Sequence, residues 1–276
     1  MAAQLKNIFE DVYKKFMNME QSRELPAKLD KADIQTISRE DRAKAGWISP
    51  VYTMSRKVRL DMKTLANNRC AAVFPCTAET EVYKVLRTRI LDCTKKNGSN
   101  TIMVTSALPR EGKTLTAINL SFAFAKLFEQ TVLLVDGDLR QQDIHKYLGY
   151  ESDRGLVDYL LDRMPLSEIM TWPGIDKITL ISGGRLVRES TELLITSRMW
   201  ELASEMKDRY PDRYVIFDAP PVLTSADAMN FAQMVDGILV VVQAEKTNVD
   251  DVNAAISLLP IEKIIGTVLN KFAPTR

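Results

Sequence analysis

The residues best suited to chemistry begin with a loop that contains a Gly-Lys-Thr triplet. Gly112, Lys113 and Thr114 end the stretch SALPREGKT (106–114), which follows an apolar run and leads into a helix-forming one. In a strand–loop–helix unit, backbone N–H groups and the helix N-terminus bind phosphate oxygens. A lysine at this position reaches the β and γ phosphates, and the threonine hydroxyl binds Mg²⁺. The spacing therefore predicts a P-loop for ATP and Mg²⁺ rather than a chance triplet in a surface turn.

Aspartates end two further apolar runs. Asp136 and Asp138 close TVLLVDGD, and Asp218 closes YVIFD. If both runs are parallel strands, their carboxyl ends meet at the edge where such sheets bind ligands. Carboxylates at that edge would lie close to the metal and the γ phosphate. Because the aspartates follow the P-loop in this order, the pattern favours a phosphoryl-transfer site over solvated Asp-Gly turns.

Strands and helices alternate from Thr77 onwards. The predicted strands are 101–106, 131–136, 177–182, 214–218, 236–243 and 264–270, and the predicted helices are 78–92, 112–128, 155–162, 190–209 and 247–259. The strands are continuous apolar runs, which is typical of strands that are buried on both faces. The sequence thus predicts an α/β protein with a mainly parallel β-sheet flanked by helices, the P-loop NTPase fold.

The N-terminal part of the chain has a different character. We predict an extension over residues 1–75, followed by an ATP-binding domain over residues 76–276. Within the extension, residues 5–17 carry apolar side chains at helical spacing, and residues 26–50 form a predicted linker. The amphipathic helix either docks on its own domain or a partner, or lies on a membrane surface.

Composition excludes several classes of function. Lys and Arg number 37 against 36 Asp and Glu, a formal net charge of +1, which argues against a nucleic-acid partner. The three cysteines form no CxxC pair and indicate neither a disulfide framework nor a zinc site. His145 is the single histidine, so histidine-based catalysis is not expected. No apolar run is long enough for a membrane span or a signal peptide, which predicts a cytoplasmic protein.

Three segments resemble the signature motifs of a known family. SALPREGKT, LLVDGDLR and VIFDAPPV resemble the Walker A, A′ and B motifs of the bacterial tyrosine kinases, which are cytoplasmic partners of polysaccharide co-polymerases. The resemblance covers residues 75–271. The stretches GWISPVYTMSRKV and LANNR resemble the subgroup encoded in exosortase-linked exopolysaccharide loci.

The resemblance implies a role for each matching residue. Lys113, Asp136, Asp138 and Asp218 would be catalytic, and Thr114, Asp136 and Asp218 would hold Mg²⁺. Asp136 would orient or deprotonate the tyrosine hydroxyl, or hold metal-bound water, since a phenol with a pKa of about 10 is a poor nucleophile at neutral pH. The implied nucleotide contacts are Pro109, Arg110, Glu111, Gly112, Lys113, Thr114, Leu115 and Asn270. Asn270 has an alternative role as a cap at the end of its strand.

The resemblance also implies partners. These are a transmembrane polysaccharide co-polymerase, which would recruit the chain to the inner face of the membrane, and protein tyrosines as substrates. The helix that contains Glu81, Lys84 and Arg87 resembles the E-x-x-R-x-x-R oligomerisation helix of the family. Lys84 replaces an arginine there and cannot make its forked contact, so self-assembly stays open. Ala107 likewise replaces the first glycine of the P-loop, a modest change if its φ angle is negative.

The end of the chain departs from the family pattern. The family usually carries a tyrosine-rich tail, whereas all eight tyrosines here lie at or before Tyr214. The alternative function is therefore a regulatory ATPase that switches a co-polymerase without phosphorylating tyrosine. Partition-type and septum-site ATPases are disfavoured, because Leu108 stands where they carry a signature lysine. The tyrosines expected to be available are Tyr13, Tyr52, Tyr147 and Tyr150, whereas Tyr210 and Tyr214 abut or lie in a buried strand.

Overall fold

A computed structural model describes residues 46–47, 50, 55–74 and 78–272. These residues fall within one compact unit, which spans residues 43–276. The helix predicted at residues 5–17 and most of the linker predicted at 26–50 lie outside the described residues.

A mainly parallel sheet forms the centre of this unit, as predicted. Its eight described strands are β1 (Arg56–Lys57), β2 (Thr101–Ser106), β3 (Thr131–Asp136), β4 (Met170–Trp172), β5 (Ile178–Ile181), β6 (Arg213–Asp218), β7 (Gly237–Gln243) and β8 (Ile264–Asn270). Their spatial order is β1-β4-β5-β3-β6-β2-β7-β8, and only the β4–β5 pair is antiparallel. The predictions missed β1 and β4, because strands of two and three residues are too short to show a period.

Helices cover the sheet and connect its strands. The described helices are α1 (Met62–Asn67), α2 (Ala78–Thr94), α3 (Lys113–Ala125), α4 (Ile144–Leu148), α5 (Leu156–Asp162), α6 (Leu166–Ile169), α7 (Ser190–Leu194), α8 (Ser197–Asp208), α9 (Ala226–Met234) and α10 (Val249–Ser257). Short 3₁₀ turns lie at Ala71–Val73, Lys95–Asn97 and Ile261–Lys263. The helix predicted over residues 190–209 is two helices, because Thr196 adopts an extended conformation and caps α8 by accepting a hydrogen bond from Met199 N.

Two apolar cores lie on opposite faces of the sheet. Neighbouring residues of one strand enter different cores: Met103 packs with one cluster, and Ile102 and Val104 pack with the other. This arrangement explains the continuous apolar runs, since every position of β2 and β3 is buried. Helix α3 is buried at every position except Leu115.

Residues 55–74 pack against the core that contains Ile102 and Val104. Leu65 and Cys70 are fully buried, and Asn119 of α3 holds this segment from inside. The Asn119 side chain accepts a hydrogen bond from Ala72 N at 2.9 Å and donates one to Arg69 O at 3.1 Å. The segment before α2 is therefore tied directly to the helix that follows the P-loop.

Candidate active site

Sheet topology brings the three motif segments together. Strands β3, β6 and β2 are neighbours, so the P-loop after β2 and the aspartates that end β3 and β6 share one edge of the sheet. Asp136 and Asp218 are direct partners in the register of β3 and β6. Their positions bear out the expectation that the carboxyl ends of these strands converge.

Lys113 lies at the centre of this cluster. Its buried ammonium donates a hydrogen bond to Asp138 Oδ2 at 2.8 Å and lies 3.6 Å from Asp218 Oδ1. The Thr114 hydroxyl is 3.4 Å from the same nitrogen. Burial alone would lower the pKa of Lys113, but Asp218 and Asp138 outweigh it and raise that pKa. The lysine is therefore held as a cation, as phosphate binding requires.

Asp136 and Asp218 are fully buried and incompletely paired. Asp136 Oδ2 accepts a hydrogen bond from Ile144 N at 3.2 Å, while Asp136 Oδ1 and both carboxylate oxygens of Asp218 have no hydrogen-bond partner among the described residues. Burial raises the pKa of Asp136 well above its ordinary value, and Asp218 adds to this shift. Burial also raises the pKa of Asp218 to about 6, against the opposing effect of Lys113.

Orphaned carboxylate oxygens are what a divalent cation would satisfy. A buried carboxylate without a partner costs free energy that a bound cation recovers. Within the described part of the chain, no three His, Cys, Asp or Glu side chains lie close enough together to hold a metal by themselves. Mg²⁺ typically binds through one or two carboxylates, with phosphates and water completing its shell. Thr114, Asp136 and Asp218 fit that kind of site.

The shape of the P-loop depends on two backbone positions. Arg110 has φ 68° and Gly112 has φ 100°, so both lie in the left-handed region. A Cβ atom on Gly112 would also lie 2.0 Å from Asn270 Nδ2, which leaves room for glycine alone. Ala107 is buried and has no positive φ, so alanine fits where the usual motif has glycine.

The remaining residues predicted to contact the nucleotide differ in exposure. Pro109 and Arg110 are exposed, and Leu115 packs partly against the core. Glu111 is buried. Asn270 lies beside the loop and donates from Nδ2 to Glu111 O at 2.8 Å. Their contacts with nucleotide stay predictions.

Gly137 joins the two aspartate-bearing segments. Its N–H donates to Asp218 O at 2.8 Å. A Cβ atom there would lie 2.7 Å from the Phe231 ring and 3.0 Å from Asp218 O. The turn between Asp136 and Asp138 can approach β6 this closely only because residue 137 has no side chain.

Asp227 lies at the centre of a polar cluster that the sequence analysis did not predict. This fully buried carboxylate accepts hydrogen bonds from the hydroxyls of Ser190, at 2.8 Å, and Thr191. Arg140, two residues after Asp138, donates to Ser190 Oγ at 2.9 Å and lies 3.5 Å from Asp227 Oδ2. The cluster ties the loop after β3 to α7 and α9. Its members come from three separate segments, so spacing along the chain could not reveal it.

The expected tyrosine accessibility is partly wrong. Tyr150 is buried and its hydroxyl bonds Ser182 Oγ at 2.6 Å, so it is not available to a kinase. Tyr210, expected to be shielded, is 40% exposed, whereas Tyr214 is buried as expected. Tyr147 is half-buried. Tyr13 and Tyr52 lie outside the described residues.

The helix predicted to mediate self-assembly makes its polar contacts within its own chain. Lys84 Nζ pairs with Glu81 at 2.6 Å, and Arg87 Nη1 donates to Ala123 O on α3 at 2.7 Å. Val82 and Val85 on this helix are 66% and 60% exposed. No helix of the described residues has the length and apolar character needed to cross a membrane.

Comparisons with known proteins agree with the site. The family described as an AAA domain matches residues 99–271. The tyrosine-protein kinase YwqD of Bacillus subtilis is 31% identical over 208 residues, which cover 75% of this chain and 86% of YwqD. The tyrosine-protein kinase Etk of Escherichia coli is 27% identical over 229 residues, which cover 79% of this chain but 31% of Etk.

A solved structure shares the fold. The kinase domain of Escherichia coli Etk aligns with a TM-score of 0.68 at 24% identity, covering 87% of this chain and 98% of that domain. The P-loop, the paired aspartates and the similarity to YwqD all indicate the same family. This chain belongs to the bacterial tyrosine kinases, a family of P-loop proteins.

Proposed function

We propose that this chain is an ATP-dependent, non-specific protein-tyrosine kinase that regulates the polymerisation and export of exopolysaccharide or capsule together with a membrane co-polymerase. One observation carries the chemical part of the proposal. The P-loop lysine, Lys113, pairs with Asp138 and Asp218, and Asp136 is the register partner of Asp218 on the adjacent strand. These residues lie together at the carboxyl ends of β3 and β6. The names of the relatives, tyrosine-protein kinases, support the kinase over the alternative regulatory ATPase.

The lysine and the threonine of the P-loop would bind the triphosphate. Lys113 exchanges its contact with Asp138 for oxygens of the β and γ phosphates, and the α3 N-terminus adds backbone donors. Thr114, Asp136 and Asp218 would hold Mg²⁺. When bound with ATP, Mg²⁺ neutralises charge on the phosphate oxygens.

Asp136 would act on the acceptor tyrosine. The phenol oxygen forms a bond to the γ phosphorus while the bond to the β–γ bridging oxygen breaks, and ADP leaves. The phenol proton would pass to the Asp136 carboxylate, whose Oδ1 has no hydrogen-bond partner among the described residues. Asp138, which pairs with Lys113 at 2.8 Å before ATP binds, would hold the lysine in place for the triphosphate.

Partners follow from family membership and remain proposals. We expect a transmembrane co-polymerase to recruit the chain to the inner face of the membrane and protein tyrosines to be the substrates. Self-association would use the α2 helix that contains Glu81, Lys84 and Arg87, on which Val82 and Val85 are also exposed.

Substitution of the P-loop lysine tests the assignment. Lys113→Met removes a charge-assisted contact worth about 1.5–3 kcal/mol, so ATP binding should weaken by about 10- to 150-fold and phosphoryl transfer should be lost. Titration with ATP·Mg²⁺ and phosphotyrosine detection would measure both effects. Lys96→Met is the matched control, because Lys96 is exposed and precedes β2 at the opposite end of the sheet. Normal turnover by Lys113→Met would refute the P-loop assignment.

A further inference from the structure

One buried carboxylate lies inside the phosphate loop itself. Glu111, immediately before Gly112, is only 2% exposed. Its Oε2 accepts a hydrogen bond from Leu108 N at 2.7 Å, and its Oε1 accepts from the Thr247 hydroxyl and from Gln243 N at 3.4 Å. A negative charge beside a triphosphate site opposes anion binding, so its presence calls for a structural reason.

The backbone of the same loop is held from the same side. Asn270 Nδ2 donates to Glu111 O at 2.8 Å, and Lys271 Nζ donates to Arg110 O at 2.6 Å. Lys271 also donates to Gln243 Oε1 at 3.2 Å. We call this set the loop clamp: Glu111, Gln243, Thr247, Asn270 and Lys271. All of its members except Glu111 lie at the carboxyl ends of β7 and β8 or directly after them.

The clamp acts where the loop is least stable by itself. Arg110 has φ 68°, which costs free energy for a residue with a side chain and persists only where its surroundings impose it. The carbonyl oxygens of Arg110 and Glu111 are satisfied by side chains outside the loop. A phosphate loop binds well when its N–H groups are fixed in advance, because the ligand then pays little ordering entropy.

We propose that Glu111 and Thr247 are positioning residues, which hold the P-loop in its phosphate-binding conformation and let the segment after β7 control ATP affinity. The inference rests on the proposed function, since it assumes that ATP binds at this loop. Glu111 acts through Leu108 N and through the shape of the loop, not by contact with phosphate. Thr247 acts through Glu111.

Two ligands separate an effect on the phosphate loop from a contact with the base or ribose of ATP. Thr247→Val removes the hydroxyl and leaves the buried carboxylate short of one donor, so affinity should fall by roughly tenfold. We expect the same factor for ATP and for inorganic triphosphate, which has neither base nor ribose. Thr247→Ser, which restores the hydroxyl, should recover wild-type affinity for both. A loss for ATP alone, or no loss for either ligand, would overturn the inference.

A double-mutant cycle tests whether the two residues act through one contact. Glu111→Gln together with Thr247→Val should weaken triphosphate binding by about as much as the worse single variant, whereas additive losses would count against a shared contact. Thr267→Val, at an exposed threonine of β8, is the control and should bind normally. Wild-type protein that binds neither ligand would refute the proposed function together with this inference. Normal wild-type binding with an unaffected Thr247→Val would refute the inference alone.

Discussion

Three aspartates of the site have different environments, although they are one residue type. Asp138 is paired with Lys113 at 2.8 Å, and Asp136 holds Ile144 N through one oxygen only. Asp218 has no hydrogen-bond partner among the described residues. The less an aspartate is satisfied within the protein, the better it is placed to meet a metal or a proton from outside. Lys113 Nζ lies 3.6 Å from Asp218 Oδ1 without a hydrogen bond. We therefore propose a supporting role for Asp138 and direct chemistry for the other two.

Neutral replacements of these two aspartates should separate activity from stability. Asp136→Asn and Asp218→Asn should each lower the rate constant for phosphoryl transfer by about 10²- to 10⁴-fold, since an amide neither accepts the phenol proton nor carries charge for the metal. The free energy of unfolding without ligand should not fall, because each substitution replaces a buried carboxylate that has at least one oxygen without a hydrogen-bond partner among the described residues. Phosphotyrosine kinetics and urea denaturation would measure these effects.

Asp176→Asn, at an exposed position in the turn before β5, is the control for this pair and should change neither quantity. Wild-type rates in both active-site variants would show that the catalytic assignment is wrong.

At the scale of the elements, the two ends of the sheet differ: the carboxyl ends hold the candidate site, and the amino end holds a stabilising contact. The carboxyl ends carry the P-loop, the aspartates and the loop clamp. At the amino end, Asp236 precedes β7 and accepts hydrogen bonds from Asn100 N at 3.1 Å and Thr101 Oγ1 at 2.9 Å. Lys207 of α8 pairs with the same carboxylate at 2.5 Å. This contact joins the starts of β2 and β7 to a covering helix, so it serves stability.

Asp236→Asn should destabilise the fold without changing the site. Loss of charge-assisted hydrogen bonds at this half-buried group should lower the free energy of unfolding by about 1–3 kcal/mol, with unchanged activity per folded molecule. Burial tends to raise the pKa of Asp236, but hydrogen bonds from Lys207, Asn100 and Thr101 outweigh it and lower the pKa. The wild-type contribution is therefore present above the ordinary aspartate pKa and is lost as the pH falls through the lowered one.

Urea denaturation of wild type and variant at pH 7 and at pH 3 would check both statements, with exposed Asp92→Asn as control. If the free energies of unfolding of wild type and Asp236→Asn differed more at pH 3 than at pH 7, both statements would be contradicted.

At the scale of the whole molecule, burial and position limit which tyrosines of the chain can be phosphorylated. Tyr150 and Tyr214 are buried, and Tyr210 is exposed but lies before β6, at the amino end of the sheet. The catalytic cluster lies at the carboxyl end, so Tyr210 cannot enter the site of its own chain. Among the described tyrosines, Tyr83, Tyr147 and Tyr159 remain, and all three are half-buried.

Self-phosphorylation should therefore be weak, and a partner's tyrosines should be phosphorylated more strongly. A flexible segment enters an active site at little cost, whereas a tyrosine in packed structure must first unfold locally. Mass spectrometry after incubation with ATP·Mg²⁺, with and without the cytoplasmic tail of a co-polymerase, would locate the modified residues. Dense phosphorylation of the isolated chain at Tyr150 or Tyr214 would contradict this prediction. Steady ATP hydrolysis with no phosphotyrosine on any partner would instead favour the regulatory ATPase.

Elements with local signals could be predicted from the amino-acid sequence. Six strands, the P-loop and the aspartates that end β3 and β6 were all predictable, since continuous apolar runs and the GKT triplet lie within short windows. The geometry of parallel sheets then predicted that Lys113, Asp136 and Asp218 lie at one edge of the sheet. The contacts of these residues with metal and nucleotide stay predictions.

The tertiary structure alone decided how side chains far apart in the chain pair. Glu111 meets Thr247 across 136 positions, and Asp227 meets Ser190 across 37. Tyr150 follows a helix in an exposed-looking polar stretch, yet its hydroxyl is buried against Ser182. No local period encodes such contacts, because they depend on which strands become neighbours and on how closely their connecting loops pack. That is why the sequence placed the catalytic groups at their edge of the sheet, while only the fold showed what holds them there.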